Sequence, residues 1–242
     1  MVDSFTCWAR IIGGCSSKMS TEHVFTKSLF DKRVQVKTWN VPITATTPYW
    51  LRKWQFDMPI RKCGANILCE AHNTILGRGP DRAAKQVMRA MERLPDPMRY
   101  LGSHILRPPK AVHICGVTYS QWLCKTHCNI VAAVGAKPED IFVFYAFGRP
   151  VERKIYFYMP AQVGLHLNVY PGFVHYEQFC DMAGTTVAFS ITLAGLTTIV
   201  STIAIDELAR AIVELSMINW MDRVRCIQMR TPLGTYKILF DW

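Results

Sequence analysis

An α+β fold is predicted by three observations. The first hundred residues are basic, rich in Cys and His, and poor in long apolar runs. Residues 119–134 carry an apolar face at helical spacing: Trp122, Leu123, Thr126, Ile130, Val131 and Val134. The remainder alternates short apolar runs with Gly, Pro and Asp, the pattern of a β-rich region. Two parts are expected, residues 1–100 and residues 111–242, joined by a connector with Pro108 and Pro109.

In the first part, residues 71–94 have helical spacing through Ile75, Val87, Met88 and Met91. Gly77, Gly79 and Pro80 interrupt it. A short helix, a break and a longer helix opened by Pro80 are therefore expected, with Pro95 and Pro97 ending the second. The helix over 119–134 follows the connector and stops at Gly135. Strands are predicted over 141–146, 154–159, 164–170, 174–180, 186–192 and 196–203. Residues 206–219 return to helical spacing. Residues 223–230 and 235–240 read as a closing hairpin around Pro232 and Gly234.

The run 182–205 has no charge and is long enough to span a bilayer. Eight Ser and Thr recur in it, with Gly184 and Gly195, and no basic cluster flanks it. Buried strands explain it better than a membrane span. Met1 is followed by no basic run and no long apolar stretch, so the expected compartment is the cytoplasm.

The chain has 242 residues, half of them hydrophobic and 19% charged, which excludes a disordered protein. Its formal charge of +10 is unevenly spread. Residues 1–100 hold 16 Lys and Arg against 8 Asp and Glu; the rest holds 12 against 10. A polyanionic partner is expected at the N-terminal part, with solubility as the bland alternative. Nine cysteines, an odd number, argue against a disulfide framework and for reduced thiols, some able to bind metal.

Four soft ligands fall in two groups, Cys7 with Cys15 and Cys69 with His72. The second pair, in LCEAHN, has the gap that lets one turn present both ligands to a tetrahedral zinc. Gly13 and Gly14 allow a tight turn before Cys15. Cys63 is a spare ligand. Between the groups lies STEHVFTKSLF. The Glu22 carboxylate can bind a hard divalent cation, and the His23 imidazole can take a proton from an attacking water. Asn73 supplies a neutral oxygen that could complete the metal shell. The competing reading is a capping box, with Ser20 or Thr21 and Glu22 starting a helix.

The pattern C-x6-E-H-V-F-x-K-S-L, followed by L-C-x-x-H-N, resembles the HNH endonuclease family, a ββα-metal (His-Me finger) fold. The resemblance covers about residues 5–94. It implies a zinc-stabilised ββα module followed by a helix and a β-rich C-terminal region. It implies Glu22 and Asn73 as ligands of a catalytic Mg2+ or Mn2+, and His23 as general base. It implies Cys7, Cys15, Cys69 and His72 as ligands of a structural zinc. Thr26 stands where the family carries proline, and the family's middle asparagine sits further ahead of the helix than Asn66, the nearest counterpart here. The helix motif W-x-x-K-x-x-x-N, here Trp122, Lys125 and Asn129, is similar to that of bacterial and phage HNH proteins. Cys124 and His127 have helical spacing for a metal pair, but a packed helix with one polar edge explains them better.

The expected function is metal-dependent cleavage of nucleic acid, DNA first. A non-catalytic zinc-stabilised nucleic-acid-binding protein is the alternative. A soluble α+β protein with purely structural cysteines and histidines is the third reading.

Overall fold

The computed structural model describes residues 7–30, 32–39, 55–92, 111–160, 173–211, 219–231 and 234–242. Helices and sheets are both present, as an α+β chain requires. The elements in order are β1 (Met19–His23), β2 (Arg33–Trp39), β3 (Gln55–Pro59), β4 (Gly64–Cys69), α1 (Glu70–Arg78), α2 (Pro80–Glu92) and β5 (Ala111–Cys115). There follow α3 (Gly116–Ala133), α4 (Asp140–Ala146), β6 (Tyr156–Pro160), β7 (Phe173–Cys180), β8 (Thr186–Leu193) and β9 (Leu196–Ser201). The chain closes with α5 (Ile205–Ala211), β10 (Trp220–Asp222), β11 (Cys226–Thr231) and β12 (Gly234–Asp241).

Three sheets form. β1 and β4 make an antiparallel pair. The large sheet runs β10-β6-β9-β8-β7-β2-β3, antiparallel except where β2 meets β7. The small sheet is β11-β12-β5, with β12 parallel to β5. The sheets thus cross the expected division between residues 1–100 and 111–242. β2 and β3, from the N-terminal part, form one edge of the sheet that β6–β10 build. Backbone pairing of Val36 with Val174 ties the two regions together.

Helix α3 is the centre of the molecule. It packs on α2, α4, β4, β5 and β12. Trp122, Leu123, Cys124, Cys128 and Ile130 have no solvent exposure. Helices buried all round are rare on solvated surfaces and mark a core element. β8 is buried along nearly its whole length. One face carries Phe189, Ile191 and Leu193 into the main core; Ala188 faces a smaller cluster with Tyr158, Ile199 and Leu208. A strand covered on both faces needs no charged edge, which accounts for the absence of charge over β8 and β9, whereas Met182 in the turn before them is exposed. Among the described residues, no helix is long and apolar enough to cross a membrane.

The break between the N-terminal helices is at Gly79, and Pro80 opens α2 as expected. The strand predicted over 141–146 is instead helix α4. Its buried residues, Phe142, Val143 and Ala146, follow helical spacing, and Glu139 and Asp140 precede them as cap and first-turn acid. A short apolar run does not separate strand from helix by periodicity, and Glu139 makes no side-chain cap hydrogen bond, so tertiary packing decides the element. The closing hairpin forms with Thr231 opposite Gly234. The strand expected over 164–170, the prolines at 95, 97, 108 and 109, and residues 212–218 of the last helical stretch lie outside the described residues.

Candidate metal centre and the His23 site

The metal-ligand candidates are assembled by the joint between β4 and α1. Cys69 is the last residue of β4 and the N-cap of α1, in extended conformation (φ −77°, ψ 160°). His72 lies in the first turn of that helix, so the two-residue gap places both side chains at one helix end. Cys7 and Cys15 flank a 3-10 turn, Arg10–Ile12, and the chain then reverses through Gly13 and Gly14 at φ 81° and 73°. Those left-handed angles suit glycine and strain other residues. The Trp8 amide donates to the Ile67 carbonyl at 3.0 Å, and the Glu70 amide to the Lys18 carbonyl at 3.0 Å, stitching this loop to β4 and α1.

The four ligand atoms of Cys7, Cys15, Cys69 and His72 lie within 4.8 Å of one another. His72 Nδ1 is 3.3 Å from the Cys7 and Cys69 sulfurs and 3.7 Å from that of Cys15. A tetrahedral zinc with ordinary bond lengths separates sulfur from nitrogen by about 3.6 Å. His72 Nε2 sits 2.9 Å from the Gly13 carbonyl. Donation to that carbonyl fixes the tautomer and leaves Nδ1 with its lone pair toward the sulfurs. The group could hold a metal ion and is compatible with a structural zinc. Cys63, the spare ligand, is elsewhere, its sulfur 4.0 Å from the Pro59 carbonyl.

The thiols are unequal. Burial pushes Cys7 up to about 12. Burial acts in the same direction on Cys69, but hydrogen bonds from the His72 and Ser16 backbone and from Ser16 outweigh it and bring that thiol to about 6. Cys69 is therefore the group primed to meet a cation as thiolate.

The Glu22–His23 pair ends β1, where a bulge separates Ser20 from Glu22. Neighbouring residues on a strand point to opposite faces, and these two part company. His23 Nε2 is buried without a hydrogen-bond partner among the described residues. Burial first, and the Lys27 charge second, hold the His23 pKa below its usual value, so the ring is neutral at pH 7. Glu22 turns inward and is 7% exposed. Its Oε1 is 2.9 Å from the Lys125 ammonium. Burial raises the Glu22 pKa while Lys125 opposes the shift. The capping-box reading does not apply: Ser20, Thr21 and Glu22 lie in β1. Asn73 Nδ2 donates to Ser20 Oγ at 2.6 Å, tying α1 to β1. Asn66 Oδ1 accepts from Thr21 Oγ1 at 3.0 Å.

Lys125 is the residue the sequence reading undervalued. It is 1% exposed and also meets Asp81, at 3.0 and 3.1 Å to its two carboxylate oxygens. Around it lies a closed polar network. Thr26 Oγ1 donates to Asp81 Oδ1 at 2.7 Å and accepts from Trp122 Nε1 at 2.9 Å. Asn129 bonds Glu22 and accepts from Trp8 Nε1 at 2.9 Å. Thr26, in the position where the HNH family carries proline, supplies a hydroxyl that proline lacks. The signal was the i, i+3, i+7 spacing of Trp122, Lys125 and Asn129, which puts all three on one helix face.

The second candidate pair resolves as packing. Cys124 and His127 are fully buried. The His127 ring stacks on Phe189 at 4.2 Å, with Nδ1 2.8 Å from the Tyr176 hydroxyl and Nε2 3.4 Å from Glu139.

No family model matches this chain, and neither a curated protein nor a solved structure matches it.

Proposed function

We propose that this protein is a zinc-stabilised nuclease that hydrolyses nucleic-acid phosphodiester bonds, DNA first, with His23 as general base. The observation that carries the reading is the neutral His23 ring at the end of β1, its Nε2 buried and without a hydrogen-bond partner among the described residues, on a strand pair and helix joined at a Cys3His cluster. The antiparallel β1–β4 pair leading into α1, with β2 and β3 between the two strands in the chain, supports the ββα arrangement that the HNH resemblance implies.

The donor set fits zinc. Three sulfurs and one imidazole, all from the protein, would supply the four ligands that a structural zinc takes. Such an ion supplies folding free energy to a hairpin and short helix too small to build a core alone. In the reaction, the neutral His23 imidazole takes a proton from water as the oxygen attacks phosphorus; the ester P–O bond breaks and the leaving oxygen takes a proton from solvent water. Lys27, close enough to lower the His23 pKa, is exposed and offsets phosphate charge. The basic excess of residues 1–100 holds the backbone without reading sequence.

The Mg2+ or Mn2+ expected at Glu22 and Asn73 fits less well. The Lys125 ammonium lies 2.9 Å from Glu22, where a metal ion would sit, and Asn73 is spent in part on Ser20. This pairing of Glu22 specifically favours the second reading, a non-catalytic nucleic-acid-binding protein that keeps the zinc scaffold.

A plasmid-nicking assay with Mg2+, with Mn2+ and with EDTA separates the two. Wild-type protein is expected to nick, and His23→Ala to lose at least about a hundredfold in rate, the ordinary share of a general base, with zinc content unchanged. Retained nicking by a clean His23→Ala preparation overturns the role of His23. Binding without nicking by the wild type establishes the binder.

A further inference from the structure

We infer that Lys125 is the resident cation of the Glu22–Asp81 carboxylate pair, so that these carboxylates form an internal lysine site and hold no divalent ion in the folded protein. The inference concerns the site of the proposed nuclease and rests on that reading for its bearing on activity.

The geometry is that of a filled site. An ammonium has three N–H donors and no acceptor. Those of Lys125 meet Glu22 Oε1 at 2.9 Å and the two Asp81 oxygens at 3.0 and 3.1 Å, so none is left over. The lysine is 1% exposed, and the Glu22 and Asp81 side chains are 9% and 20% exposed. A buried ammonium survives only when it is paired and hydrogen-bonded. Conversely, two carboxylates converging on one buried point repel unless a cation lies between them.

The surroundings hold the lysine in place. Trp122 and Asn129 stand on the same face of α3, one turn before and one turn after it, and both are anchored to the N-terminal part through Thr26 and Trp8. Thr26 fixes Asp81, and Asn129 fixes Glu22. A divalent ion would need the same carboxylate oxygens, at about 2.0–2.6 Å, and would face the lysine charge at close range. The buried lysine therefore excludes the ion by occupancy and by repulsion. Lys125 is a positioning residue: it touches Glu22 and Asp81, not substrate.

The test uses zinc-loaded full-length protein titrated with Mn2+, with free Mn2+ followed by electron paramagnetic resonance. Wild type and Glu22→Gln are expected to give the same free-Mn2+ curve. Lys125→Ala, which leaves Glu22 and Asp81 facing an open space, is expected to take up about one further Mn2+ per chain. Adding Glu22→Gln to that variant should abolish the gain. A Mn2+ site in the wild type that Glu22→Gln removes overturns the inference. So does a folded Lys125→Ala that gains no Mn2+. Should Lys125→Ala fail to fold, the wild-type and Glu22→Gln curves decide alone. A wild type that does not nick DNA removes the nuclease reading and leaves the Mn2+ comparison standing, so the two failures are distinguishable.

Discussion

Glu139 shows how a single half-buried side chain sets a pH response. Burial alone would raise its pKa, but hydrogen bonds from His127 and Thr186 outweigh it and hold the carboxyl at about 2. The Thr186 amide donates to Oε1 at 2.8 Å. Burial holds the His127 pKa down, so the ring is neutral near pH 7 and serves as a hydrogen-bond donor more than as a charge. A folded pKa depressed below the ordinary 4.5 contributes stability above 4.5, and that stability is lost as pH falls from 4.5 toward 2. Glu139→Gln is expected to remove about 2–3 kcal/mol at pH 7 and to flatten the pH dependence below 4.5. Urea denaturation at pH 7, 4.5 and 3 checks both. Equal losses at pH 7 and pH 3 would contradict the assignment. Glu22 differs in sign: its pKa is raised, so its ionised form gains nothing from burial and depends on Lys125.

Between elements, the tightest fit lies where α3 begins. A Cβ added to Gly116 would stand 2.6 Å from the Trp242 indole, closer than real contacts allow. Trp242 is held in turn by its Nε1 donation to the Val224 carbonyl at 2.9 Å, and its ring stacks near Phe157 and Phe240. Gly116→Ala is therefore expected to destabilise by about 1–3 kcal/mol, the usual cost of overpacking. Thermal unfolding measures this, and an unchanged melting temperature would show that the Trp242 ring moves aside freely. Helix propensity by itself gives the opposite sign, because alanine is the better helix former. At this level α1, α2, α3 and the closing hairpin were legible, since periodicity, Pro80 and the turn residues are local signals. α4 was not. Its apolar run from Ile141 to Ala146 fits either period, and the packing of Phe142 on His127 and Phe189 decides it.

Across the whole molecule, the Cys3His group and the α3 network do related work at different sites. The Cys3His group closes the loop of residues 7–15 onto the β4–α1 joint. The Lys125 network locks α3 to β1 and α2, and β2 locks the N-terminal part to β7. Removal of the zinc proposed for this group should therefore destabilise more than the first hundred residues. Chelation of zinc, or Cys69→Ser, is expected to lower the melting temperature of the full chain in one cooperative transition, with loss of about one zinc per chain. Differential scanning calorimetry with metal analysis tests this. Two separate transitions, with only the first sensitive to chelator, would contradict the coupling.

The division of labour between chain and fold follows from the reach of the interactions. Cys69 and His72, three residues apart, declare themselves in the chain because one helix turn brings them together. So does the presence of Glu22 and His23 on one short segment, and so do the basic charges of residues 1–100. Pairing Cys7 with a sulfur more than sixty positions away was proposed from resemblance, and its distance of 3.3 Å to His72 comes from folding. The partner of Glu22 was set by the tertiary structure alone. A strand alternates its side chains between two faces, and only the docking of α3 shows that the inner face holds a lysine 103 positions along the chain, at 2.9 Å. Charge neutralisation in a buried site acts through space between residues with no local signature, so the spacing of Trp122, Lys125 and Asn129 named the helix face, and the packing supplied its function.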